Sequence, residues 1–255
     1  MARQTGRRTA RLNDDETVRR RSGWLIPLSV FGVTFLLSAA FLLYYLAPRG
    51  DSLFSEQTAP TSRGDVVTLR VGGRPFRIPA NYLIYESARS GGERSEVALF
   101  ALLPDLDGWS NWAGDAFASN AVDSRVVYLT IHKDKLGVKE ADRLSRVYLD
   151  YVTDRRGRAG PYGLTLYEFR QDTGYRGDEL YVGQTETGPV VMRCVTLSES
   201  VPNPSCLREM LLAPGVGLTL RFKRYYLQDW QDIAAKTDRL IASFREQTNG
   251  KAAVK

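Results

Sequence analysis

One uncharged run, Trp24 through Ala47, constrains this chain more than any other feature. A helix rises about 1.5 Å per residue, so a run of this length crosses a hydrocarbon core of about 30 Å. No second run of this kind occurs in the 255 residues. The expected plan is a short arm (1–23), a membrane-crossing helix (24–47) and a folded part on the far side. Cores of cleaved secretory leaders are shorter, about 7–15 residues. Here Phe41 to Leu46 continue the apolar run past the small residues Ser38, Ala39 and Ala40, which points to an uncleaved anchor. Trp24 at one end, and Tyr44 and Tyr45 at the other, fit the aromatic belts of the two interfaces.

The charge distribution orients the anchor. The arm carries seven arginines against Asp14, Asp15 and Glu16, a net +4, whereas Arg49 alone follows the span before Asp51. The positive-inside rule places the arm in the cytoplasm and residues 48–255 across the membrane. The whole chain is +6, so the far part holds about +2. The basicity is topogenic, and nucleic acid is not an expected partner; membrane lipid is. Both cysteines, Cys194 and Cys206, lie beyond the span. An even count in an oxidising compartment suggests one disulfide closing a loop that contains Pro202, Asn203 and Pro204. The spacing excludes a CxxC redox pair. Together with an Arg-rich composition, this layout suggests a bacterial inner-membrane protein whose main domain faces the periplasm.

Residues 48–64 are polar, without apolar period, and read as a linker; 247–255 read as a frayed tail. Between them, 65–246 reads as one domain. Val66 to Val71, Gly72-Gly73 and Arg74 to Pro79 spell a hairpin with a two-glycine turn. Glu96 to Leu103, Arg125 to His132, Gly163 to Phe169, Glu179 to Gly183, Val190 to Leu197 and Gly217 to Lys223 read as further strands. Helical spacing takes over at 139–152 and, most clearly, at 229–244, where Trp230, Ile233, Ala234, Leu240, Ile241 and Phe244 form one apolar stripe. Each half runs several strands and then a helix. The expectation is an α+β domain of antiparallel sheet with packed helices, and the repeated order suggests a duplicated β-rich/α unit.

Chemistry-bearing motifs are scarce. His132 is the sole histidine, and no nucleophile elbow accompanies it. One histidine and two paired cysteines leave no ordinary zinc set, and no cofactor or metal is expected. Asp105-Leu106-Asp107-Gly108 has the start of a calcium loop, but the twelfth position is Ala116 rather than glutamate. Nothing in the sequence selects a catalytic carboxylate pair. The segment Gly108 to Asp115 stands out because Trp109 and Trp112 sit three residues apart among Gly, Ser, Asn and Asp. Surface tryptophans are enriched in binding hot spots. Trp109 and Trp112, with Asp105 and Asp107 just before them, are the candidate partner-binding residues. The polar, Gly-rich stretch 84–94 is expected to be mobile and to border the same surface.

Pro204-Ser205-Cys206, the strand Leu218 to Phe222, then Leu227, Trp230, Ile233 and Leu240-Ile241 with Phe244 follow in a distinctive order. Over roughly 190–246 this resembles the periplasmic immunity proteins that neutralise type VI secretion lipase effectors. The resemblance implies a protein partner and structural roles for Cys206 and Trp230; the Arg-rich arm and full membrane span depart from the family's usual export or lipid anchoring. The leading expectation is a non-enzymatic, membrane-anchored scaffold or assembly module that binds another envelope protein. The alternatives are an immunity-type inhibitor of a secreted effector and an envelope glycan-acting enzyme.

Overall fold

The computed structural model describes residues 23–46 and 58–249. The arginine arm up to residue 22, linker residues 48–57 and tail residues 250–255 lie outside the described residues. The chain divides into two compact units, one holding the N-terminal helix and the other the sheet domain. In the first, α1 spans Leu25–Leu46. Within it Ile26–Tyr44 is long and apolar enough to cross a membrane.

In the second unit, β1 (Val66–Val71) and β2 (Arg74–Pro79) form the expected hairpin. Gly72 and Gly73 both adopt positive φ, as a tight turn matching the strand twist requires. A Cβ on Gly72 would also stand 2.9 Å from the Gly215 carbonyl oxygen. β3 (Gly92–Arg94) pairs in parallel with β1 and completes a three-stranded sheet. The stretch 84–94 is thus tied down. Besides the β3 ladder, the Arg94 guanidinium donates to the Ser87 carbonyl at 2.6 Å, and Arg89 donates to the carbonyls of Ala59 and Leu83.

The remaining strands are β4 (Glu96–Leu102), β5 (Val126–Lys133), β6 (Arg158–Ala159), β7 (Thr165–Glu168), β8 (Asp178–Thr185), β9 (Gly188–Val195), β10 (Ser205–Ala213) and β11 (Val216–Lys223). They form one antiparallel sheet in the order β4-β5-β11-β10-β9-β8-β7-β6. Three helices accompany it: α2 (Gly114–Ala118), α3 (Glu140–Arg143, continued by one wider turn over Leu144–Tyr148) and α4 (Trp230–Asn249). The domain is α+β with antiparallel sheet and packed helices, as its periodicities predict. Both halves run strands and then a helix, and they share one sheet because β5 of the first half pairs with β11 of the second.

Alternation assigns the two faces. Leu99 of β4, Leu129 of β5, Leu218 of β11 and Met192 of β9 join β1, β2 and the α4 stripe in the main core. Residues one position along point to the opposite face, which carries two separate caps. At one end Phe100, Leu102 and Val126 pack with Phe117 of α2. At the other, Leu180, Val191 and Tyr167 pack with Tyr148, Val152 and Phe169. The disulfide joins Cys194 to Cys206, directly opposite one another on β9 and β10 and fully buried in the main core.

β9 and β10 pair only over Cys206 to Arg208. Beyond that point the Glu140 carboxylate takes the place of a strand partner. It accepts from the Val191 amide at 3.1 Å and holds Arg208 through two bonds of 2.8 and 2.9 Å, while Asp238 of α4 adds a third contact. Arg208 is 4 % exposed. A guanidinium so buried is tolerable because its charge is matched in place.

Candidate functional site

Between the two caps the middle of the open face is uncovered. The cross-strand register shows what it presents. One row runs Phe100, Tyr128, Arg221 and Leu207 across β4, β5, β11 and β10. It continues through Arg193 to Leu180, under the second cap. The next row runs Ala98, Thr130, Thr219 and Glu209. A groove of about 680 Å³ follows these rows. Its walls include Trp109, Phe117 and Tyr128, with Ile84, Tyr85, Thr58 and Pro60 along the margin. The margin is fixed by backbone pairing of Thr58 with Tyr85 and by the Ala59 amide, which donates to the Ile84 carbonyl at 3.2 Å.

The groove is apolar and hydroxyl-lined, with Arg221 as its charged residue. The Arg221 guanidinium lies over the face of Tyr128, 5.6 Å from the ring centroid, and Tyr128 itself is 39 % exposed. Lower on β5, His132 lies flat over β11. A Cβ on Gly217 would meet its ring at 2.7 Å, so glycine makes room for it. Its Nδ1 donates to the Lys133 carbonyl and its Nε2 contacts the Thr219 hydroxyl, each at 3.2 Å. A carbonyl can only accept, so Nδ1 carries a hydrogen. On the far side, Glu209 accepts from Arg143 at 2.9 Å and from the Tyr148 hydroxyl at 3.4 Å. Burial first, then the Glu209 charge, pushes the Tyr148 phenol above its ordinary value. Among the described residues no cluster of His, Cys, Asp and Glu is arranged to hold a metal ion.

The two tryptophans are placed differently. Trp109 is half-buried, packs beside the first cap and lines the groove; its amide donates to the Asn81 carbonyl at 2.8 Å. Trp112 is 98 % exposed. It sits in the single turn Asn111–Ala113, which in the chain falls between the groove-lining residues Trp109 and Gly114. Asp105 and Asp107 are outside the groove lining. Asp105 pairs with Lys236 of α4 at 3.1 Å, and Asp107 closes the turn after β4 through paired backbone bonds with Leu102.

Tyr128, Thr219, Arg221 and Leu207 escape a reading of the sequence because they are spread over three strands, β5, β11 and β10, and meet only through the register. The signal available for them is the alternation of β11, Leu-Thr-Leu-Arg-Phe-Lys, which sets Thr219, Arg221 and Lys223 on one face.

No protein-family model matches the chain, nor does any curated protein sequence. Among solved structures, the chain is similar to Smlt3025, an immunity protein of the Stenotrophomonas maltophilia type IV secretion system. The two share 18 % identity with a TM-score of 0.51, over 71 % of this chain and 94 % of that one. At this identity the likeness is one of fold.

Proposed function

We propose that this protein is a non-enzymatic protein-binding module of the immunity type, anchored in the bacterial inner membrane with its arm in the cytoplasm and its sheet domain in the periplasm. It holds one effector protein through the open strip between the two caps. The observation that carries this reading is Trp112, an indole left almost wholly in water on the turn that links two residues of an apolar groove. Large aromatics exposed next to a concave apolar surface characterise protein-binding patches. The fold likeness to an immunity protein favours one tight partner over a general assembly role. Tethering supports it too, since a short link confines the domain near the membrane and raises its effective concentration there toward the millimolar range.

The test uses the full-length chain in lipid nanodiscs, titrated with the purified products of the genes that flank its own. One of them is expected to bind with nanomolar Kd. Trp112→Ala is expected to weaken that complex by about 30-fold, which corresponds to a hot-spot loss of roughly 2 kcal/mol. Failure of every flanking product to bind, or a complex indifferent to Trp112→Ala, contradicts the reading.

A further inference from the structure

The open strip carries an unbalanced charge. Its row holds two arginines that are treated in opposite ways. Arg193 pairs with Asp178 and lies over the Tyr175 ring. Arg221 forms no ion pair among the described residues and has only the Tyr128 face beneath it. Two positions further along β11, Lys223 has no carboxylate partner among the described residues either. Its ammonium donates to the Asn120 side-chain oxygen at 2.8 Å and to the Asn203 carbonyl at 3.4 Å. Burial, with the Arg221 charge second, holds the Lys223 pKa below its ordinary value. A small polar dimple containing Ser119, Ser124 and Ser205 joins the two cations at the groove's end, and neither it nor the groove is lined by Asp or Glu. Of the acids on this face, Glu209 is engaged by Arg143 and Tyr148, and Glu96 lies in the row of His132, two rows from Arg221.

Any protein that covers this groove takes the Arg221 guanidinium out of water. A buried, unmatched charge is costly, whereas one met by a carboxylate in good geometry is not. We propose that the partner enters the groove with an acidic segment. An Asp or Glu carboxylate pairs with Arg221 at the Lys223 end, and flanking apolar side chains lie along Tyr128, Leu207 and Trp109. This assignment rests on the protein-binding reading above and adds the chemistry of the bound segment.

The probe is a library of disulfide-cyclised random peptides displayed on phage, selected against the full-length chain in nanodiscs. Groove binders are the clones that fail to bind the Trp112→Ala/Tyr128→Ala variant. They are expected to be enriched in Asp and Glu over the input library. Their affinity is expected to fall by about tenfold or more on Arg221→Gln, to fall alike when the peptide's acid becomes its amide, and to be partly kept by Arg221→Lys. Arg221 is exposed, so thermal unfolding should show Arg221→Gln folded as the parent. Groove binders without acidic enrichment, binders indifferent to Arg221→Gln, or a selection without groove binders overturn the assignment. Neutral groove binders would do so while leaving the protein-binding reading to the flanking-gene titration. Failure of that titration would remove both.

Discussion

Truncating the two tryptophans separately should divide stability from binding. A tryptophan buries about 150–250 Å² when fully packed, worth about 4–6 kcal/mol at roughly 25 cal/mol per Å². Trp112 is 98 % exposed and has almost none of this to lose, so Trp112→Ala should change folding stability by no more than about 0.5 kcal/mol. Trp109 is half-buried against the Phe100–Phe117 cap and lies 3.7 Å from the position of a Cβ on Gly114. Trp109→Ala should cost about 2–4 kcal/mol, transfer and cavity contributions together. Urea unfolding followed by far-ultraviolet circular dichroism reads the difference. With a slope near 2 kcal/mol per M, the Trp109→Ala midpoint should fall by about 1–2 M while that of Trp112→Ala stays with the parent. A loss above about 1 kcal/mol for Trp112→Ala, or below about 0.5 kcal/mol for Trp109→Ala, would refute the placement of these side chains and the site built on it.

Replacing both Cys194 and Cys206 by serine releases the loop constraint in the unfolded chain, about 3 kcal/mol; differential scanning calorimetry should show a fall of roughly 6–12 °C. Gly183 lies under the Trp230 indole, where a Cβ would stand 2.3 to 2.7 Å from three ring atoms. The indole cannot easily withdraw, since it is 2 % exposed and donates to the Tyr162 carbonyl at 3.1 Å. Gly183→Ala should therefore cost about 1–3 kcal/mol, and a double-mutant cycle with Trp230→Leu should recover part of it; additive losses would contradict the contact. Burial, then the hydrogen bond to Glu179, pushes the Tyr181 phenol up to about 12 from 10.0. The folded state thus holds this proton more tightly than the unfolded chain. The resulting stability is full below pH 10 and is lost as the pH rises toward 12. Denaturation midpoints over that window should fall less steeply for Tyr181→Phe than for the parent, and equal slopes would refute the burial of this phenol.

Much of the fold is legible because its strands alternate cleanly. Val67, Leu69 and Val71 face inward from β1, and the α4 stripe of Ile233, Ile241 and Phe244 faces the same core. β10 is hidden from such a reading because neighbouring positions of opposite face, Arg208 and Glu209, are both charged. Each is matched by a residue more than sixty positions earlier, Glu140 and Arg143, and pairs of that separation leave no local periodicity. The helix at 140–148 is blurred by its wider last turn, which shifts the spacing between Arg143 and Tyr148. Trp109 and Trp112 stand out by composition, but the groove beside them is assembled from four strands drawn from residues 96 to 223, so its Tyr128–Arg221 centre appears only with the register. Asp105 reads as a partner-binding candidate by its place just before the tryptophan segment, and its partner Lys236, on a distant helix, is what occupies it.

Hydroxyl-radical footprinting of the full-length chain, with and without the flanking-gene product that binds it, tests the proposed surface most directly. Trp112, Trp109 and Tyr128 should lose reactivity in the complex. Tyr162, 55 % exposed beside Trp230, should react as before. Protection of Tyr162 with Trp112 and Tyr128 left reactive would place the partner elsewhere and contradict the open strip as its seat.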